Sequence, residues 1–136
     1  MNSKEIGYLV VRVLVSLILI IHGLKNVLTL DGFKTYVIEN LHKIEFFTPD
    51  WLSYLLISIP FIEILFGVLL LAGFLTKAIL KTSHYTFIGI AVFLMIVNEM
   101  DSAFLYVVLS TILFFLMIKI HYNVWSLDKR FHSFFS

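Results

Sequence analysis

The chain contains four long apolar stretches, and each is long enough or nearly long enough to cross a membrane as a helix. They run over residues 6–24, 51–75, 80–97 and 103–120. A spanning helix needs about 20 mostly apolar residues, and its backbone must satisfy its own hydrogen bonds in lipid. Each stretch is a continuous run of apolar residues, whereas a barrel strand would alternate apolar and polar residues, so the pattern favours helices. The pattern therefore predicts an all-α fold, an integral membrane four-helix bundle formed by a single transmembrane domain over residues 1–136.

The link between the first two spans has a helical pattern of its own. Its apolar residues recur at helical spacing, and charged residues lie between them. We expect a short amphipathic helix here that lies at the membrane interface. Thr48 and Pro49 then precede the second span, and proline suits the first position of a helix. The apolar positions of the link helix are Phe33, Tyr36, Val37, Leu41 and Ile44.

The composition supports a membrane protein and excludes several kinds of chemistry. Hydrophobic residues make up 60% of the 136 residues and charged residues 14%, whereas a soluble domain carries about a quarter charged residues. The chain has no cysteine, which excludes thiol catalysis, disulfide exchange and thiolate metal sites. The net charge is only +1, so no strongly basic surface indicates a nucleic-acid partner.

The basic residues in the connections set the expected orientation in the membrane. Seven of the ten Lys and Arg residues lie on the side of both termini, and three lie in the link between the first two spans. By the positive-inside rule, we expect both termini in the cytoplasm. The first apolar stretch carries Arg12 and His22 and has no clear small-residue cleavage site. These features favour a retained first helix over a cleaved signal peptide.

One acidic residue, Glu63, lies in the middle of the second span. An ionised side chain at that depth costs roughly 3 kcal/mol on insertion scales. The carboxyl group can stay protonated or pair with a cation, and Arg12 on the first span is the obvious cation. With a rise of 1.5 Å per residue, the two residues differ in depth by about 9 Å, which two long side chains can span. The sequence therefore predicts that Arg12 and Glu63 form a buried polar pair or a ligand pocket.

Small and polar residues support this prediction. Ser16 and Gly23 share a narrow stripe of the first helix with the arginine. Gly67 lies one turn after the glutamate and allows a neighbouring helix to come close, while Pro60 removes a backbone hydrogen bond and favours a kink. His22 lies beside the stripe near the outer boundary, where we expect it to form hydrogen bonds. A polar site beside a helix kink inside a bundle could hold a small ligand.

The role of this polar pair has three interpretations. An ion pair can simply fix the order and register of the helices, or the pair can form a ligand or proton site. In the third interpretation Glu63 stays protonated and unpaired, while Arg12 extends to the cytoplasmic interface. His84 and His121 could hold a haem, but no supporting pattern accompanies them. The sequence contains no nucleotide-binding, zinc-protease or serine-hydrolase motif.

Several short motifs follow one another along the chain. HGLKN at 22–26 comes ten residues after Arg12, a segment E-x-x-x-G-x-L-L-L-A-G-F-x-T-K occupies 63–77, and SLD occupies 126–128. In this order they resemble the DoxX family of small bacterial membrane proteins. The resemblance implies a four-helix bundle in the bacterial inner membrane. The residues before SLD are HYNVW, where the family often has a turn that contains glycine.

The resemblance also implies a function. Members of the family are linked to membrane oxidoreductase systems, and one is a subunit of a thiosulfate:quinone oxidoreductase. We therefore expect an accessory or anchoring subunit that has no intrinsic cofactor, contacts a quinone and joins a soluble or membrane redox enzyme. One alternative is a small proton-coupled transporter that works as a homo-oligomer in the bilayer, although a neighbouring Arg12 would repel a cationic cargo. The other alternative is a purely structural assembly factor.

Overall fold

The computed structural model describes residues 1–44 and 50–135, and all regular structure in that part of the chain is helical. Four of the helices are long and apolar enough to cross a membrane. This confirms the all-α, four-helix membrane fold that the apolar stretches predict. In chain order the helices are α1 Ser3–Leu28, α2 Leu30–His42, α3 Asp50–Ala72, α4 Thr76–Ile96, α5 Met100–Ile118 and α6 Leu127–Phe135, with a 3₁₀ turn at Ile120–Tyr122 before the last.

The ends of α1 and α3 differ from the predicted spans for local reasons. Helix α1 begins earlier, because Asn2 and Glu5 form a reciprocal capping box at its start. Helix α3 ends at Ala72, because Gly73 and Leu75 adopt left-handed backbone conformations, with φ of 68° and 50°. Glycine tolerates such a φ readily, whereas leucine rarely adopts it. The chain therefore turns sharply and enters α4 at Thr76.

Helices α1 and α3 pack antiparallel with their backbones close together. A Cβ atom added at Gly67 would lie 2.8 Å from the carbonyl oxygen of Ser16, and one added at Gly23 would lie 2.7 Å from the carbonyl oxygen of Pro60. Neither position has room for a side chain, so the two glycines allow the close contact. Four of the five predicted supporting residues therefore lie at the contact between α1 and α3: Ser16, Gly23, Pro60 and Gly67.

The core of the bundle is apolar, and its outer faces are apolar as well. Large side chains from all four long helices have no exposed surface, among them Leu19, Leu70, Phe87 and Leu113. Other large apolar side chains on the same helices are 40–70% exposed. Such outward faces suit contact with a lipid bilayer. The exposed set includes Leu14, Phe61, Val92, Phe104 and Phe115.

Helix α2 lies across the end of the bundle that is opposite the chain termini. Only Thr29 separates it from α1, and its buried residues Val37 and Leu41 pack against Leu56 of α3. At its end, Lys43 forms an exposed ion pair of 2.9 Å with Glu99, in the turn between α4 and α5. The predicted link helix is therefore present, and its position at a membrane interface stays a prediction. Residues 45–49, which include the predicted Thr48-Pro49 start of the second span, lie outside the described residues.

Candidate functional site

Glu63 of α3 is fully buried, and each of its carboxylate oxygens has a hydrogen-bond partner. Its Oε2 lies 2.8 Å from Nδ1 of His22 on α1, and the hydroxyl of Tyr106 on α5 donates to its Oε1 at 2.5 Å. The rings of His22 and Tyr106 also contact each other edge to face. Three helices therefore meet at one carboxylate, which would be costly to bury without partners. We call Glu63, His22 and Tyr106 the carboxylate cluster.

Arg12 does not pair with Glu63, which corrects the predicted pairing. Its guanidinium is buried and donates instead to Oδ1 of Asn123 and, at 2.8 Å, to the carbonyl oxygen of Trp125. The reason is the way in which residues of α1 are aligned with residues of α3. Arg12 lies beside Gly73, where an added Cβ would be 2.9 Å from its Nη1. Glu63 precedes Gly73 by ten residues, so it lies about 15 Å further along the bundle, beyond the reach of the two side chains.

The residues after the last spanning helix fold back over the ends of α1 and α3. The carboxylate of Asp128 accepts hydrogen bonds of 2.7 Å from the backbone N–H groups of Leu75 and Thr76, at the start of α4. In return, the backbone N–H of Asp128 donates to the carbonyl oxygen of Gly73. Asp128 therefore caps a helix that has no side-chain cap of its own. We call residues 123–128 the C-terminal clasp.

A cavity of about 340 Å³ lies next to the carboxylate cluster, and α2 forms one of its walls. His22 and Tyr106 of the cluster line this cavity. Its wall is mixed, with several aromatic and aliphatic side chains and a smaller number of polar ones. The apolar wall includes Phe33, Leu56, Ile59, Ile90 and Phe93, and the remaining polar wall includes Asn26, Tyr36, Asn40 and Ser102.

Comparison with known families now identifies the chain. The DoxX family model matches residues 7–98, which is more than half of the sequence. The chain belongs to the DoxX family. No curated protein and no solved structure matches the chain. The matched region contains His22, Glu63 and α2, whereas Tyr106 and the C-terminal clasp lie after it. The match therefore does not include the SLD motif at 126–128.

His84 and His121 of this DoxX protein have local partners. Nδ1 of His84 lies 2.8 Å from the hydroxyl of Ser110, and the ring of His121 packs on that of Tyr122. Within the described residues, no three His, Asp or Glu side chains come together as a metal site. The absence of such a group does not bear on a haem held by His84 and His121, because a haem needs only two histidines.

Sequence reasoning missed two residues of the site, Tyr106 and Asn40. Tyr106 lies in an apolar stretch and carries no local signal of a polar contact. Asn40 had a signal, because it falls on the apolar stripe of the link helix, three residues after Val37 and four before Ile44. A polar residue on that stripe faces the core, and Asn40 is only 2% exposed in this DoxX protein.

Proposed function

We propose that this DoxX protein binds a quinone-type ring in the cavity beside the carboxylate cluster and acts as an accessory subunit of a membrane oxidoreductase. The observation that carries the proposal is the cavity itself. Its volume falls in the range of small-molecule pockets, which are mostly apolar with a few well-placed polar groups. Phe33 and Phe93 offer apolar surface to a flat ring. His22 offers a ring nitrogen to an oxygen at the edge of such a ring.

The carboxylate cluster supplies orientation and a proton site. Because Nδ1 of His22 is bonded to Glu63, the other ring nitrogen is left for a ligand, and the carboxylate fixes the direction of the imidazole. Reduction of a quinone takes up two protons, and oxidation of the product releases them. The His22–Glu63 pair can hold or release a proton at the edge of the ring. The electrons would come from a partner enzyme, which would carry the redox cofactor.

The test is a binding measurement with a short-chain quinone, decylubiquinone, on the protein purified in mild detergent. We expect saturable binding by equilibrium dialysis, and we expect His22→Gln to weaken it about tenfold or more, which corresponds to about 1.4 kcal/mol. Tyr106→Phe removes a hydrogen bond to the carboxylate that orients His22 and should weaken binding by a smaller factor. The matched controls are His84→Gln, which changes a half-buried histidine outside the cavity, and Tyr8→Phe, which changes a buried tyrosine near the opposite end. Wild-type protein that does not bind the quinone would overturn the proposal.

We also propose that the protein lies in the bacterial inner membrane with both termini in the cytoplasm, which would place α2 and the cavity on the outer side. Seven basic residues on the side of the termini support this orientation. The chain has no cysteine, so single cysteines can report the side directly. In intact cells, a membrane-impermeant maleimide should label Lys34→Cys, and it should label Lys129→Cys only after permeabilisation. The reverse result would invert the orientation.

A second candidate function is proton-coupled transport by a homo-oligomer. One observation favours it: Arg12 lies about 15 Å from Glu63 along the bundle, so it repels a cation bound at the carboxylate less than an adjacent arginine would. A transporter should move protons in liposomes together with a cargo, and Glu63→Gln should abolish that movement. A quinone site without transport supports the first candidate. A protein that neither binds quinone nor moves protons fits the third class, a structural assembly factor.

A further inference from the structure

A second cavity, of about 410 Å³, lies between α1 and α5 at the end of the bundle that carries the chain termini. Each helix brings a lysine to its wall: Lys4 from the first turn of α1, and Lys119 from the position directly after α5. Among the described residues, no Asp or Glu contributes to this wall. Its other members are Gly7, Tyr8, Val11, Phe115, Leu116 and Tyr122. The cavity is therefore cationic, and it lies far from the cavity beside the carboxylate cluster.

The two lysines of this wall have no acidic partner within residues 1–44 and 50–135. The acidic residue next to Lys4 is Glu5, whose Oε2 accepts a hydrogen bond from the backbone N–H of Asn2 in the capping box. Two like charges in one wall repel each other, and an anion close to both relieves that repulsion. The lysine side chain is long and flexible, so both ammonium groups can turn toward one anion at the mouth of the cavity.

The charged and apolar parts of the wall lie at different depths along the bundle. Lys4 and Lys119 lie at the ends of their helices, whereas Val11 lies seven residues further into α1 and Phe115 four residues further into α5. At 1.5 Å per residue, these apolar side chains lie about 10 Å and about 6 Å deeper. Phe115 is 55% exposed, so the apolar wall continues onto the outer face of the bundle. A phospholipid has the same order, with a charged headgroup above its acyl chains.

Gly7 keeps one side of the cavity open. It lies in the wall three residues after Lys4, and a Cβ atom added there would meet nothing within 4 Å beyond its chain neighbours and the nearby helix backbone. Glycine weakens a helix relative to alanine, so a glycine inside α1 calls for a physical reason. The free space beside it supplies one, because a larger side chain at this position would take up room that a ligand needs.

We propose that this cavity binds an anionic phospholipid, with the phosphate close to Lys4 and Lys119 and an acyl chain along Val11 and Phe115. A lipid such as phosphatidylglycerol keeps its net negative charge, whereas phosphatidylcholine also carries a cation that the two lysines repel. The acyl chain adds apolar contact that a free phosphate lacks. The site is independent of the quinone proposal, because its residues lie at the other end of the bundle.

The experiment titrates the purified protein in detergent with phosphatidylglycerol or with phosphatidylcholine of the same acyl chains, and native mass spectrometry measures the one-lipid complex. We expect the wild type to bind phosphatidylglycerol about tenfold more tightly. The double variant Lys4→Gln/Lys119→Gln should bring the two affinities to within about twofold. The matched control is Lys77→Gln/Lys81→Gln, which removes two exposed lysines at the same end but outside the cavity, and it should keep the preference.

Two further measurements test the cavity and the acyl chain separately. Gly7→Leu keeps both lysines but adds a side chain to the wall, so it should weaken phosphatidylglycerol binding about fivefold or more. Gly89→Leu is its control, because Gly89 on α4 also has open space at its Cβ position and lies outside the cavity. Glycerol phosphate, which is the headgroup chemistry without acyl chains, should not displace the lipid at an equal concentration.

Each part of the proposal has a result that would overturn it. Equal affinities of the two lipids for the wild type would exclude selection by charge. A preference that survives in Lys4→Gln/Lys119→Gln, or that falls equally in Lys77→Gln/Lys81→Gln, would exclude a site at this pair of lysines. Unchanged binding by Gly7→Leu would place the lipid outside the cavity. Displacement by glycerol phosphate would assign the site to a free phosphate. None of these results would affect the quinone proposal.

Discussion

Arg12 donates a hydrogen bond of 2.8 Å to the carbonyl oxygen of Trp125, which lies 113 residues further along the chain. A second hydrogen bond goes to Oδ1 of Asn123. An arginine cannot lose its proton in a protein, so a buried one must meet acceptors. In this bundle those acceptors are neutral groups of the C-terminal clasp, and the buried carboxylate of Glu63 has partners of its own.

Replacement of Arg12 by glutamine should loosen the C-terminal clasp. The shorter, neutral side chain cannot reach both acceptors, so buried groups lose their partners at a cost of about 1–3 kcal/mol. We expect a lower Tm in detergent and faster amide hydrogen exchange over residues 123–128. Lys129→Gln, which changes an exposed cation next to the clasp, is the control and should alter neither. Unchanged exchange in Arg12→Gln would show that the arginine does not hold this segment.

Glu63 should be energetically coupled to Tyr106 and independent of Arg12. In a double-mutant cycle, Glu63→Gln and Tyr106→Phe should be non-additive by about 0.5–3 kcal/mol, because the two groups share a hydrogen bond. Glu63→Gln and Arg12→Gln should be additive to within about 0.5 kcal/mol, because the sites are more than 10 Å apart. Thermal unfolding in detergent measures both cycles. Strong coupling to Arg12 would contradict the observed register of α1 and α3.

Asp128 should stabilise the start of α4 although it belongs to another part of the chain. Asp128→Ala removes two charge-assisted hydrogen bonds to Leu75 and Thr76, and we expect a loss of about 1–3 kcal/mol. The amide protons of those two residues should then exchange faster. Asp101→Ala is the matched control, because Asp101 is an exposed residue in the first turn of α5, and it should change stability by less than about 0.5 kcal/mol. Equal effects of the two substitutions would rule out a specific cap.

Two glycine substitutions should have opposite effects on stability. Gly67→Ala places a Cβ atom 2.6 Å from Cγ1 of Ile20 and 2.8 Å from the carbonyl oxygen of Ser16, so it should push α1 and α3 apart and cost about 1–3 kcal/mol. At Gly89 on α4, an added Cβ meets nothing within 4 Å beyond its chain neighbours and the nearby helix backbone, so Gly89→Ala should stabilise the helix by up to about 1 kcal/mol. The Tm values of both variants test this, and a stabilising Gly67→Ala would contradict the close contact.

The number of spanning helices and the α1–α3 contact could be predicted, because both depend on local pattern. An apolar stretch of about 20 residues has one structural solution in lipid, and the stripe that contains Ser16 and Gly23 follows from helical periodicity. The partner of Arg12 could not be predicted in this way. The estimate of about 9 Å placed the start of α1 level with the end of α3. In the structure Arg12, nine residues after the start of α1, lies beside Gly73, just past the end of α3, so the offset from Glu63 is about 15 Å.

The polar contacts of the site depend on tertiary structure that has no local signature. A backbone carbonyl such as that of Trp125 is the same group at every residue, so no pattern marks it as the acceptor for an arginine. Tyr106 reaches Glu63 only because the fold packs α5 against α4 and brings it beside α1. Asn40 is the exception, since its place on the apolar stripe of α2 could have identified it as a buried polar residue.

The position of the clasp in the chain also sets an order of assembly. The ribosome makes Arg12 early. Its side-chain partner Asn123 follows 111 residues later, after all four long helices. Until then the guanidinium lacks the two acceptors that it uses in the described structure, Asn123 and Trp125, and water or lipid headgroups have to hydrate it instead. Closure of that end of the protein is therefore one of the last events of biogenesis, and a nascent chain cut before Asn123 would lack the groups that complete it.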